Sequence, residues 1–130
     1  MKKKLGFLFA VLLIAGALLS FTACQDKYAE YLGVYDCIYI TRDGADILSA
    51  YEYYRIELKK GGNAHSEFKM KTAPYTSGET DSKFKIDGEK FIETVGVVKN
   101  EYKYIDGVII LEYQDAATGI KIVARFKRSA

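Results

Sequence analysis

The chain has 130 residues, with 19 Lys+Arg against 17 Asp+Glu. Three of those lysines are residues 2–4; beyond them the balance is 16 basic to 17 acidic, a net of −1, so the chain has no basic footprint for nucleic acid. With two cysteines and one histidine, it excludes a disulfide-dense scaffold and the Cys/His sets of typical structural zinc sites.

The N-terminus reads Met1-Lys2-Lys3-Lys4, then a 17-residue apolar run from Leu5 to Phe21 broken by Gly6, Gly16 and Ser20, then Thr22-Ala23-Cys24. A spanning helix needs about 20 apolar residues. A basic stretch followed by a shorter apolar run reads instead as a secretory leader over residues 1–23. Lysines favour the cytoplasmic side. The remainder is therefore expected to face outward whether the leader is cleaved before Cys24, removed as an ordinary signal, or kept as an anchor helix. Residues 24–32 read as a tether, and residues 33–130 as one domain with a modest core.

From Gly33 the chain alternates strand and turn signals. Gly33–Thr41 reads as a strand, broken by Arg42-Asp43-Gly44-Ala45-Asp46. Residues 46–52 fit either a short helix capped by Asp46 or the lead-in to a strand. In Tyr54–Lys59 the apolar residues Tyr54, Ile56 and Leu58 share a face, and Lys60-Gly61-Gly62-Asn63 is a hairpin turn. Ala64–Lys71 alternates again, with Phe68 and Met70 inward, and Thr72–Thr80, which holds Pro74 and Gly78, reads as a loop. A motif then recurs at a spacing of 19 residues: Ser82–Ile86, Asp87-Gly88, Glu89–Glu93, and Glu101–Ile105, Asp106-Gly107, Val108–Glu112. Asp-Gly between β-formers is a strong hairpin signal. After the turn Asp115–Gly119, Ile120–Lys127 places Ile120, Ile122, Ala124 and Phe126 on one face. The expected fold is all-β, an antiparallel meander of about eight strands, as a small closed barrel or a β-sandwich.

Phe21-Thr22-Ala23-Cys24 resembles the lipobox of bacterial lipoproteins, in which the cysteine is acylated and becomes the mature N-terminus. The family prefers an aliphatic residue where this chain has Phe21. The resemblance implies a lipid anchor on Cys24, and two or more acyl chains give stable anchoring. Cys37 is then left without an intramolecular partner and is expected to be buried and inert. From Gly33 onward, Gly33-Val34-Tyr35, Ile56-Glu57-Leu58-Lys59-Lys60-Gly61 and the two Ile-Asp-Gly turns resemble lipocalin-like domains of bacterial lipoproteins. True lipocalins have Trp where Tyr35 stands, with a basic residue late in the last strand packed on it; Arg125 and Arg128 are the positions available here. Ser77-Gly78 also matches the start of the Ser-Gly-x-x-Tyr loop of periplasmic lysozyme inhibitors, but Asp81 replaces the Tyr and their disulfide is missing.

The chemistry carried by side chains is sparse. His65 falls on a polar face, and the turn aspartates suit backbone bonding rather than a calcium loop. Glu93, Glu101 and Glu112 show no spacing that brings two acids together as glycoside hydrolysis requires. The expectation is a non-enzymatic, lipid-anchored envelope domain without cofactor or metal. Its interior would be lined by Tyr35, Tyr54, Ile56, Leu58, Phe68, Ile110, Ile122 and Phe126, which either fill it or hold a small hydrophobic ligand. The alternative is an interaction or inhibitor module that meets an envelope protein through exposed Tyr51, Tyr53, Tyr102 and Tyr104.

Overall fold

The computed structural model describes residues 27–129. It contains nine strands: β1 (Gly33–Arg42), β2 (Ala45–Asp46), β3 (Tyr51–Lys59), β4 (Asn63–Met70), β5 (Ser77–Asp87), β6 (Lys90–Val95), β7 (Val98–Ile105), β8 (Val108–Gln114) and β9 (Lys121–Arg128). From β3 to β9 each strand pairs antiparallel with the next, and β1 pairs with both β3 and β9. Eight strands therefore close into an up-and-down barrel, not a sandwich, and the two-residue β2 only flanks the end of β1. Closure pairs the edges that an open meander would leave for another chain. Among the described residues no helix is long and apolar enough to cross a membrane.

Alternation of apolar and charged side chains sets which face of each strand turns inward. On β3, Ile56 and Leu58 are buried while Arg55, Glu57 and Lys59 line the outside, and their partners on β4 obey the same parity. Two bulges break the alternation. Ile38 is the extra residue between Cys37, opposite Phe126, and Tyr39, opposite Arg125. It turns both Ile38 and Tyr39 outward and brings Ile40 into the core. Glu52 is the extra residue between Tyr51, opposite Met70, and Tyr53, opposite Lys69. A bulge places two residues against one and re-aims the side chains that follow.

The repeated Ile-Asp-Gly motif makes two different turns. In the second copy Asp106 (φ 51°) and Gly107 (φ 76°) form the two-residue loop, a type I′ geometry, with Ile105 opposite Val108. In the first copy Asp87 still belongs to the ladder, opposite Lys90, and the loop is Gly88-Glu89 with positive φ only at Gly88, as in type II′. One residue of offset exchanges the faces. Phe91 is buried in the first hairpin, whereas Ile110, its counterpart in the second, lies opposite Lys103 and Arg125 on the outer face and Ile109 takes the core position.

The ends of the barrel differ. The base carries the short turns β3–β4, β5–β6 and β7–β8 and is plugged by the segment before β1. Tyr28 is buried against Phe84 at 5.2 Å between ring centroids, and a 3-10 turn, Ala29–Tyr31, sets Tyr31 edge-on to Tyr104 at 5.1 Å. Residues 28–31, which read as tether, thus pack on the core, while Cys24 and the leader lie outside the described residues. The opposite end, the mouth, carries the β1–β3 connection, the β4–β5 loop, the β6–β7 turn at Gly96-Val97 and the β8–β9 loop. In that first connection, residues 46–52 form a 3-10 turn, Leu48–Ala50, whose Leu48 N–H donates to Asp46 Oδ1 at 2.9 Å before β3 begins.

The mouth is also notched. β7 pairs with β8 only over Lys103–Ile105, and the first six residues of β5 pair with β4 but not with β6. The short β6–β7 hairpin therefore stands between two gaps in the wall. Ser77–Thr80, which read as loop, are strand β5, so Ser77-Gly78 does not form an inhibitor-type loop.

Candidate functional site

The base is a packed polar-aromatic knot. The Tyr35 hydroxyl donates to the Tyr31 carbonyl at 2.7 Å, lies 2.9 Å from the Tyr104 hydroxyl and accepts from Arg128 Nη2 at 2.6 Å. Arg128 also covers the Tyr35 ring at 5.2 Å and donates to the Glu30 carbonyl at 2.7 Å, which ties the last strand to the plug. Burial, then the hydrogen bond shared with Tyr104, pushes the Tyr35 hydroxyl up to about 12 despite the nearby guanidinium. Leu58, Ile109 and Phe126 fill this half alongside it. Of the two basic residues available to pack on Tyr35, Arg128 does so; Arg125 lies over Tyr39 outside the barrel.

Above this layer the barrel is not filled. A cavity of about 160 Å³ is lined by Tyr54, Ile56, Ser66, Thr80, Phe91, Glu93, Tyr102 and Leu111. These groups come from six strands, β3 to β8, and register places them: Ser66 sits opposite Ile56 and Thr80, and Tyr102 sits opposite Phe91. Thr80 faces inward yet is exposed, so the cavity opens to solvent beside the gap between β5 and β6. Its walls are mostly aromatic and aliphatic, with hydroxyls from Ser66, Thr80, Tyr54 and Tyr102. Glu93 is the one charged side chain among those lining it, and its Oε2 accepts a hydrogen bond from Ser82 at 3.3 Å. Burial pushes the Tyr54 hydroxyl up to about 12, with smaller contributions from Tyr51, Cys37, Tyr102 and Glu93. Tyr102 is raised by burial and by the Glu93 charge.

Of the residues expected inside, Tyr35, Ile56, Leu58 and Phe126 are buried, and Tyr54 and Ile122 pack against them. Phe68 is half-buried and packs tilted against Tyr54, 5.6 Å between ring centroids. Ile110 is corrected to the outer face, by the turn offset described above. Three of the four tyrosines expected to face a partner instead face inward. Tyr102 lines the cavity, Tyr104 joins the base knot, and Tyr51 packs on Tyr54 at 5.5 Å because the Glu52 bulge rotates it inward. Only Tyr53 lies outside, with the Arg55 guanidinium 4.3 Å from its ring centre. The parity signal for Tyr102 and Tyr104 was present: they alternate with Glu101 and Lys103, which require water. Glu93 could have been placed in the same way, since it stands two residues from Phe91. Glu101 points outward toward Lys90 at 3.7 Å, and Glu112, opposite Val123, is exposed, so neither joins Glu93.

Two further groups lie apart from the cavity. On the outer face of β4 and β5, ligand atoms of His65, Glu67 and Glu79 lie within 4.8 Å of one another. Two of these groups already have protein partners: Arg55 Nε is 2.8 Å from Glu67, and His65 Nδ1 is 2.7 Å from Asp81, whose hydrogen bond raises the imidazole pKa. Cys37 is half-buried and inward-facing, with its Sγ 3.4 Å from the Tyr39 carbonyl, and burial pushes its thiol up, away from the reactive thiolate.

No protein-family model matches the chain, and no curated protein matches it in sequence.

Proposed function

We propose that this chain is an exported, lipid-anchored binding domain of the bacterial cell envelope, lipocalin-like in architecture and non-enzymatic, that receives a small hydrophobic ligand through the mouth of its barrel. The observation that carries this reading is the asymmetry of the interior: a plugged base and a solvent-reached cavity of about 160 Å³ above it. A cavity of about 150 Å³ lined by apolar side chains accommodates benzene, so the ligand is the size of a single substituted ring, well below the drug-sized range. The plug lies at the end of the barrel nearest Cys24 in sequence. With a lipid on Cys24, the base sits toward the bilayer and the mouth away from it.

The test is a titration of the isotope-labelled full chain, in phospholipid nanodiscs, with benzyl alcohol. The methyl signals of Ile56 and Leu111 and the ring signals of Tyr54, Phe91 and Tyr102 should shift together and saturate. An absence of shifts at these residues would contradict a ligand cavity.

The exposed apolar side chains at the mouth favour a second reading as an interaction module. Tyr75 and Val97 come from two different connections, Val98 and Tyr113 from strand ends beside them, and Val97 is 99% exposed. Such a rim suits contact with another envelope protein.

A further inference from the structure

We propose, resting on the binding reading above, that the cavity selects a small organic cation: an amine carried on a compact apolar body of about six to ten non-hydrogen atoms. Glu93 supplies the countercharge. It projects from the middle of β6 into the space between Tyr54, Phe91, Tyr102 and Leu111. Among the described residues its carboxylate has one hydrogen bond, from Ser82 to Oε2, and no ion pair with any lysine, arginine or histidine. The carboxylates of Glu52, Glu57, Glu67 and Glu101, by contrast, meet lysine or arginine on the outer surface. An inward carboxylate with no cation beside it offers its charge to a bound ammonium group.

The surroundings fit the rest of such a molecule. Tyr54 and Tyr102 line the same cavity as the carboxylate, and aromatic rings attract cations. Both hydroxyls are raised partly by the Glu93 charge, which places all three groups within electrostatic reach of one another. Ile56, Phe91 and Leu111 supply an apolar wall for the body of the ligand, while Ser66 and Thr80 offer hydroxyls on the side nearest solvent. A ligand carboxylate would meet Glu93 as a like charge, and a neutral ligand of the same shape would gain nothing from it.

Three ligands of one ring size separate the terms: benzylamine, benzyl alcohol and benzoate, each titrated calorimetrically into the full chain in nanodiscs of zwitterionic phospholipid. Benzylamine should bind at least about tenfold more tightly than benzyl alcohol, and benzoate should not bind. Glu93→Gln should reduce the amine to the level of the alcohol and leave the alcohol unchanged. Glu101→Gln, which removes the same charge from the outer face, should leave the amine preference intact. If the alcohol binds as tightly as the amine, or the preference survives Glu93→Gln, cation selection is overturned and the binding site stands. If neither binds, the binding reading itself falls.

Discussion

Individual side chains show how the two halves of the barrel were specified. At the base, Tyr35, Tyr104 and Arg128 exchange hydrogen bonds around one buried phenol, so that polar atoms brought into the core by tyrosine are satisfied. Tyr35 and Tyr54 both have hydroxyls raised from 10.0 to about 12, chiefly by burial. The protonated phenol is thus favoured by folding. Its contribution is complete below pH 10 and is lost as the pH rises through about 12. Urea midpoints measured from pH 9 upward should stay level to about pH 10 and then fall, with phenolate absorbance from these two tyrosines lagging behind that of a free tyrosine. A midpoint unchanged to pH 12 would contradict the burial of these rings. The Tyr35–Arg128 pair was legible from sequence as one of two options. Glu93 was legible only by parity with Phe91, because a lone acid two residues from a core aromatic gives no motif.

At the level of strands and turns, hydrophobic alternation identified eight of the nine strands and the inward faces of β3, β4 and β9. Turn chemistry located the hairpins but not their register. The two Ile-Asp-Gly copies look alike, yet one places Asp in the loop and the other in the ladder, and that offset moves Ile110 outward and Ile109 inward. The bulges at Ile38 and Glu52 carry no local sequence mark, and the Glu52 bulge moved Tyr51 from the expected outer face to the inner one. A pair of substitutions checks the register. Ile109→Ala, at a fully buried position, should cost about 2–5 kcal/mol, whereas Ile110→Ala should cost about 1 kcal/mol or less. Equal losses in chemical denaturation would contradict the offset.

The whole molecule is a cup with a sealed base and an open, notched mouth. The base is sealed by Tyr28 and Tyr31, from a segment whose sequence suggested only a tether, because two tyrosines in a short polar stretch give no periodicity to read. On the lipoprotein reading, Cys24→Ser should move the protein from the membrane fraction to the soluble one; retention on the membrane would count against a lipid anchor. The central claim is that the space above the base is a binding site and not a packing defect, and filling it is the direct test. Ser66→Leu projects added methyl groups into the cavity between Ile56 and Thr80. The affinity for benzylamine, measured by calorimetry on the full chain in nanodiscs, should then fall by about tenfold or more with the melting temperature preserved, as expected when a void is occupied. Unchanged affinity in a folded Ser66→Leu protein would show that the ligand does not enter the barrel.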